Sequence, residues 1–404
     1  MSTPIAIIGA GPAGMTAALC AARQGAQVTL IDGNAQVGRK LLVTGSGRAN
    51  LTNRAANPER YTCGDPAWLA TLFNQFGPKD LIDFLKGLGL LTYSTPDGWF
   101  YPVSESAQNV VAVFASALER AGVTLLLDQR VTSIRKSGNG FALDFAARKS
   151  LDCDRLLVAA GGKAYPTLGS RGECFPSLKK LGHTVLPLMP ALGPISADMR
   201  LYHSLQGVRL DAHVTLLKDK QILGETTGNL IFTQWGFNGP AVMDLSHLAA
   251  RSPNAALTMR MNLLPTVEAE VREQLKLHRK EAFPLAILPG SSLPPKLSAF
   301  VLAQSGLSPE TRLNEVNDAQ INQLMDWITA FPVKVTGVRD FDTCQISAGG
   351  VPVSEVSPET MESRRVSGLF LAGETLDVVG PCGGYNLQFA FSSGAIAGWG
   401  MAKK

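Results

Sequence analysis

The chain has 404 residues, 45% of them apolar, and a net charge of +4 spread without a basic run or an Arg-rich tail. That length exceeds one ordinary core and calls for two or three domains, and the even charge argues against a phosphate-neutralising nucleic-acid surface. Six scattered cysteines without a C-x-x-C pair argue against a zinc knuckle or dithiol redox centre and fit a reducing, cytoplasmic setting.

Ile5 to Ile8 reads as a short buried strand, and Pro12 to Arg23 as an Ala-rich helix closed by Gly25. A second strand, Val28 to Ile31, ends in Asp32. This is a βαβ unit with Gly9, Gly11 and Gly14 at its first turn: a tight turn, a close approach for a pyrophosphate, and close helix–strand packing. Asp32 stands where an acceptor for a ribose hydroxyl belongs, and it would repel a 2′-phosphate, which leaves FAD or NAD. The uncharged run from Ile5 to Ala22 lacks a basic n-region and contains four turn-forming residues, so neither a signal sequence nor a membrane span is expected.

Val37 to Asn53 follows, "VGRKLLVTGSGRANLTN", with Arg39 and Lys40 placed for a phosphate and Gly45-Ser46-Gly47 forming a turn that can lie against a flavin. Arg155 to Pro166 is a strand running into Ala160-Gly161. After Pro187 the pattern changes to short alternating runs, "DAHVTLLKD" and "GNLIFTQ", which read as antiparallel strands. From Thr266 to about Phe331 the text is polar and helix-like with Pro-rich breaks, and "FPVKVTGVRDF" returns as a strand. Gly368 to Gly398 is a strand, an acidic turn at Gly373-Glu374, a Gly-rich loop and a helix opening at Gly384-Tyr385-Asn386.

No second strand-GxGxxG-helix pattern appears, so a separate nicotinamide domain is not visible. A carboxylate and a helix N-terminus supplied from the far end of the chain suit FAD better than NAD. In that reading Glu374 bonds the ribityl or pyrophosphate region, and the late helix points its N–H groups at the flavin. Arg48, Asn50 and Tyr385 are the candidates for substrate binding and for the proton that accompanies hydride transfer. Arg48 suits a substrate carboxylate, and Tyr385 either donates a proton or packs. Cys382 reads as a small residue in a tight turn. His183, His203, His213, His247 and His278 form no ligand spacing, so no metal is expected.

The motifs "GRKLLVTGSGRANLTN", "GKAYPTLGSRG", "FTQWGFNGPAVMDLS", "ISAGGV" and "GETLDVVGPCGGYNLQFAFSSG" together resemble the YhiN/BaiN-type bacterial flavoproteins, labelled NAD(P)/FAD-dependent oxidoreductases, over essentially the whole chain. Members usually carry Gly and Cys where Ser46 and Ala49 stand, His at Gln234 and Ser at Asn238; these departures bear on substrate rather than fold. The resemblance implies an α/β fold, a two-dinucleotide-fold, Rossmann-like FAD-binding domain built from both chain ends (1–188 and 346–404). It is interrupted by a β-rich domain (189–265, with a return strand at 331–345) that carries a helical insertion (266–330). Ala13, Val131 and Leu387 complete the FAD contacts it implies. The expected activity is hydride transfer between FAD and a small organic substrate held between the two domains, with NADH or NADPH as transient co-substrate. An FAD-dependent RNA-modifying enzyme and a non-catalytic flavin redox sensor are the alternatives. No nucleic-acid partner and no membrane insertion are expected, and the oligomeric state is open.

Overall fold

The computed structural model describes residues 4–146 and 149–403, so the outer limits of the expected domains lie outside it. The chain forms two compact units, one of Met1–Met189 with Gln345–Lys404 and one of Pro190–Cys344.

The first unit is organised on a five-stranded, all-parallel sheet. Strand β1 (Pro4–Ile8) leads into helix α1 (Pro12–Ala22) and strand β2 (Gln27–Ile31). A small antiparallel sheet follows, made of β3 (Thr52–Asn53), β4 (Thr92–Ser94) and β5 (Trp99–Pro102), then helix α2 (Ala107–Arg120) and the sheet strands β6 (Thr124–Leu126) and β7 (Arg155–Val158). From the C-terminal segment come β8 (Leu369–Leu371) and helix α3 (Tyr385–Ala402). The strand order is β8-β7-β1-β2-β6. β1 lies in the middle and is buried from Ile5 to Ile8, as a parallel strand covered on both faces must be. This is the Rossmann-type α/β fold expected, with β8 returning from the far end of the chain.

α3 packs on α1 through small residues. A Cβ on Gly394 would come within 2.3 Å of the Ala13 carbonyl oxygen, and one on Gly398 within 2.5 Å of that of Ala17. Both positions advance together by one helical turn, so the helices run in the same direction. By this register α3 begins about eight residues, or about 12 Å, ahead of the start of α1. Any larger side chain on this seam would push the helices apart.

A buried polar knot closes the C-terminal part of the sheet. His183 Nδ1 lies 2.7 Å from Glu355 Oε2, and its Nε2 lies 2.9 Å from Ser363 Oγ. Ser363 Oγ also accepts from the N–H groups of Arg365 (3.0 Å) and Val366 (2.9 Å), and Arg365 pairs with Glu355 at 2.7 Å. With both Ser363 lone pairs taken, its hydroxyl proton goes to Nε2, which fixes the neutral imidazole with its proton on Nδ1.

The second unit is a closed six-stranded barrel, in the order 195–197, 236–238, 221–232, 209–218, 257–262 and 331–338. Strands 209–218 and 221–232 form a long antiparallel hairpin, and helices 268–277, 295–304 and 318–329 lie between the last two strands in the sequence. Phe331, fully buried, meets Phe232 of the barrel at 5.9 Å and Phe300 and Trp327 of the helical insertion at 5.8 Å each between ring centroids, which ties barrel to insertion.

Candidate functional site

The first glycine turn is built by backbone lying on backbone. A Cβ on Gly14 would sit 1.8 Å from the Gly9 carbonyl oxygen, and one on Gly9 (φ +102) would sit 2.3 Å from the Ala159 carbonyl oxygen and 2.8 Å from Ala160 Cα. A Cβ on Gly11, the N-cap of α1, would meet nothing within 4 Å among the described residues, so the space beside the helix start is open. Asp32 closes the turn from β2: its Oδ2 accepts the Ala10 N–H at 2.7 Å, and its Oδ1 accepts both the N–H and the side-chain amide of Asn34 at 2.8 Å. Segment 128–131 runs beside it through Gln129 N to Asp32 O (2.9 Å), which brings Val131 to this end of the sheet. Gly9, Gly11, Ala13, Gly14, Asp32 and Ala160 therefore meet at one helix N-terminus, with Gly161 next to Ala160 in the chain and Val131 two residues beyond the Gln129 contact.

The two cations expected at a phosphate are placed differently from each other. Arg39 is exposed and donates to Asn34 Oδ1 at 2.8 Å. Lys40 instead pairs with Glu374 Oε2 at 2.8 Å, the two side chains being 25% and 17% exposed. Glu374 Oε1 accepts from Ser347 N (2.8 Å) and Ser347 Oγ (3.0 Å), and Ser347 Oγ accepts from Lys163 N at 2.6 Å. Glu374 is thus the centre of a knot joining four segments of the chain, and its carboxylate is already engaged on both oxygens. Gly373, at φ +64, gives its N–H to Ser393 Oγ and lies against Ala13 at the start of α1.

The second glycine turn is braced by side chains. Gly384, at φ +94, is the N-cap of α3, and its Cβ would fall 2.6 Å from the Thr52 backbone and 2.8 Å from Asn50 Oδ1. Asn50 is buried and its Oδ1 has no hydrogen-bond partner among the described residues. Gly383 rests on the Trp99 indole, where a Cβ would lie 3.0 Å from the ring, and Asn53 Nδ2 donates to the Gly383 carbonyl at 3.1 Å. Tyr61 donates its hydroxyl to the Tyr385 carbonyl at 2.8 Å; burial pushes its phenol well above the ordinary range, so it stays a donor. Tyr385 is only 4% exposed, its ring edge-on to Tyr61 at 5.8 Å with the Arg60 guanidinium 5.9 Å from its centre. Asn386 gives its side chain to the loop, bonding Gly380 N and O at 2.8 Å each, and Leu387 stands half-buried in the same helical turn.

Gly45, Ser46 and Gly47 all have positive φ, at 56°, 57° and 85°. A Cβ on Gly45 would lie 2.9 Å from Asn50 N and 3.2 Å from the Tyr101 ring. Arg48 is exposed, its guanidinium 4.5 Å above the centre of that ring. Sequence reasoning missed Trp99, Tyr101, Thr52 and Tyr61, which brace both loops. It also missed the buried relay from Thr52 Oγ1 to Gln388 Oε1 (2.5 Å) and from Gln388 Nε2 to Ser392 Oγ (2.9 Å), which ties β3 to α3. Burial pushes the Cys20, Cys153 and Cys174 thiols up to about 12, which leaves them unreactive. Among the described residues no helix is long and apolar enough to cross a membrane.

Comparison with known proteins places this geometry. The chain is 36% identical over 409 residues to the 3-dehydro-bile acid delta(4,6)-reductase of Clostridium scindens, covering 99% of each chain. It is 33% identical over 392 residues to the ribosomal RNA dihydrouridine synthase of Escherichia coli, covering 96% of this chain and 95% of that one. The second name stands against the expectation, drawn from charge, that nucleic acid plays no part. Among solved structures, 3-ketosteroid-delta4-(5alpha)-dehydrogenase from Rhodococcus jostii superposes with a TM-score of 0.52 at 15% identity over 100% of this chain and 97% of that one, a likeness of fold. The family model described as HI0933-like protein Rossmann domain matches residues 3–400, and the chain belongs to that family, a family of FAD-dependent oxidoreductases.

Proposed function

We propose that the protein binds FAD extended along the first unit and uses it to reduce a ring carbon–carbon double bond conjugated to a carbonyl in a small organic substrate, with NADH or NADPH as electron donor. The observation that carries this reading is the stepped pair of parallel helices: α3 opens about 12 Å ahead of α1, each at a glycine turn. That step suits a pyrophosphate at one N-terminus and, a ribityl chain further on, an isoalloxazine at the other. Bound FAD supplies two-electron hydride chemistry. The chain's own groups do the rest. The free N–H groups opening α1 hold the pyrophosphate, and Gly11 gives it room. Asp32 keeps acceptor capacity for a ribose hydroxyl, and Val131, Ala160 and Gly161 flank it. Lys40 and Glu374 fix the loops around the middle of the site, and Gly373 brings backbone close to it.

At the far end, the N–H groups of Tyr385, Asn386 and Leu387 present positive potential where a reduced flavin carries negative charge. Gly45, Ser46 and Gly47 supply a side-chain-poor surface facing that end. Of the residues considered for the accompanying proton, Arg48 is exposed and suits substrate binding, while Asn50 and Tyr385 are buried and suit holding the turn. The relative of Clostridium scindens supports the choice of a reductase.

Anaerobic titration of the purified yellow protein with NADH and NADPH tests this. Bleaching of the flavin bands by either nucleotide, followed by reoxidation on adding a conjugated enone, is the expected result. A flavin that neither nucleotide bleaches removes the nicotinamide link, and a protein that takes up no FAD removes the whole reading. The name of the Escherichia coli relative favours a second reading, reduction of uridine in RNA. Loss of dihydrouridine from ribosomal RNA on deleting this chain from its host would select that reading over the first.

A further inference from the structure

One face of the β3–β5–β4 sheet carries Asn53, Trp99, Tyr101 and Tyr93, since Asn53 pairs with Trp99 and Tyr93 with Tyr101 across the strands. The three rings form a shallow strip, with Tyr93 and Tyr101 6.1 Å apart and tilted 31°, and Trp99 and Tyr101 6.5 Å apart and tilted 33°. At one end the strip meets the Gly383 loop through Trp99, and in its middle it meets the Gly45 loop through Tyr101. Tyr101 is buried, whereas Tyr93 and Trp99 are half-buried and keep open surface. The Arg48 guanidinium sits over Tyr101, with Nε directed at the Gly45 carbonyl at 3.4 Å.

Among the described residues Arg48 has no carboxylate partner. Two acids neighbour the strip. Glu105 is bonded by the Tyr93 hydroxyl, and Asp97 stands in the turn between β4 and β5. Neither pairs with Arg48. A guanidinium that is exposed, unpaired and pinned by a ring has already lost much of its rotational freedom, so a bound anion loses little more in ordering it. Two residues on, the buried Asn50 oxygen, without a partner among the described residues, lies between the same two loops, 2.8 Å from the Gly384 Cβ direction.

We propose that Arg48, pinned on Tyr101, is the anion receptor of the substrate site, and that Trp99 and Tyr93 form the wall on which the substrate's unsaturated ring lies. The ligand class is an unsaturated ring bearing a carboxylate or a phosphate. This rests on the flavin reading above. It adds that Tyr101 is a positioning residue and that Trp99 and Tyr93 select substrate.

The test is equilibrium binding to the oxidised holoprotein, read by perturbation of the flavin spectrum, with two pairs of probes. One pair is a 3-keto bile-acid enone as free acid and as methyl ester; the other is uridine monophosphate and uridine. In at least one pair the charged member binds about tenfold more tightly than the neutral one, the scale of a charge-assisted bidentate contact. Arg48→Gln abolishes that preference, Tyr101→Phe keeps it, and Tyr101→Leu narrows it, weakening the charged probe more than the neutral one. A preference confined to the first pair names a carboxylate source, and one confined to the second names a nucleotide. Equal binding of charged and neutral probes in both pairs, no saturable binding of any probe, or a preference that survives Arg48→Gln overturns the proposal while leaving the flavin reading in place. A protein that binds no flavin overturns both.

Discussion

The two helix N-termini of the site differ in what holds the loop that leads into each. At α1 the turn is held by main chain against main chain, Gly14 on the Gly9 carbonyl and Gly9 on the Ala159 carbonyl. At α3 the N-cap Gly384 meets main chain at Thr52, but the loop leading into it is held by side chains from distant segments: Tyr61 on Gly380, Trp99 on Gly383, and Asn53 on the Gly383 carbonyl. A turn set by backbone contact has no slack. One set by side chains can shift when a ring or an amide moves, so the two ends of the site differ in how they tolerate change.

The largest effect belongs to the first turn. Gly14→Ala places a methyl 1.8 Å from a carbonyl oxygen that the sheet holds in place, and the expected loss is about 3 kcal/mol or more, the upper range for overpacking. Urea unfolding and FAD content after purification measure it. Wild-type stability with full flavin would show that the strand and helix separate easily, and the contrast between the two turns would go with it. At the second turn Gly383→Ala meets only the half-buried Trp99 ring and a φ of +108°. The expected loss is about 1–2 kcal/mol, most of it the conformational cost of a side chain in that region. In a Trp99→Leu background the steric part vanishes and the conformational part remains, so the two changes are less than additive. Strict additivity would mean that the ring does not bear on the loop.

The Lys40–Glu374 pair lies between the two ends. Lys40→Met leaves Glu374 with its two Ser347 bonds but without its cation. The partial exposure of both side chains limits the cost to about 1 kcal/mol, between the surface and buried cases. Weaker FAD retention at unchanged fold is the expected sign, and retention equal to wild type would remove Lys40 from the site.

Acid offers a smaller and more selective probe. Burial holds the His183 imidazole below its ordinary range, against the raising effect of Glu355. The unfolded chain therefore takes up this proton at a higher pH than the folded one. Stability is whole above the ordinary histidine range and falls as pH drops below about 6.5 toward the folded value. Burial pushes the Glu355 carboxyl up, yet its bonds from Arg365, Thr184 and His183 outweigh that and hold it low, so its share is lost only at lower pH. His183→Gln flattens the upper part of the profile and leaves the lower. Hydrogen exchange of residues 363–371, followed from neutral to mildly acidic pH, locates the loosening. A profile unchanged by the substitution would show that the imidazole is not the group responsible.

What the sequence makes legible follows the same division. The α1 turn is readable because its requirements fall within a few neighbouring residues: strand, three glycines, helix, strand and Asp32. The fold class is readable for the same reason, since β8 and α3 repeat a strand-turn-helix order near the C-terminus. Lys40 reads as a phosphate ligand because a cation after an acidic strand end looks free; nothing local says that Glu374 will come to meet it. Tyr385 reads as a donor or a packing ring because its burial depends on Tyr61, far away in the chain. The aromatic strip went unread because Trp99, Tyr101 and Tyr93 have no meaning until β4 and β5 are laid beside β3 and the Gly383 loop arrives.

Ser46 joins the two halves of the comparison, because it is a side chain standing where backbone geometry asks for none. Between Gly45 and Gly47 it adopts φ +57° without β-branching or a local cap to favour it. A non-glycine residue there carries a cost of about 1–2 kcal/mol, and a glycine would return part of that gain through the freedom it adds to the unfolded chain, about 0.4–1 kcal/mol. Ser46→Gly is therefore expected to stabilise the first unit by under about 1 kcal/mol and to leave flavin binding as it was. Loss of stability on this substitution would mean that the serine earns its place through contact with a ligand or substrate, and would turn attention from the backbone of the loop to its hydroxyl.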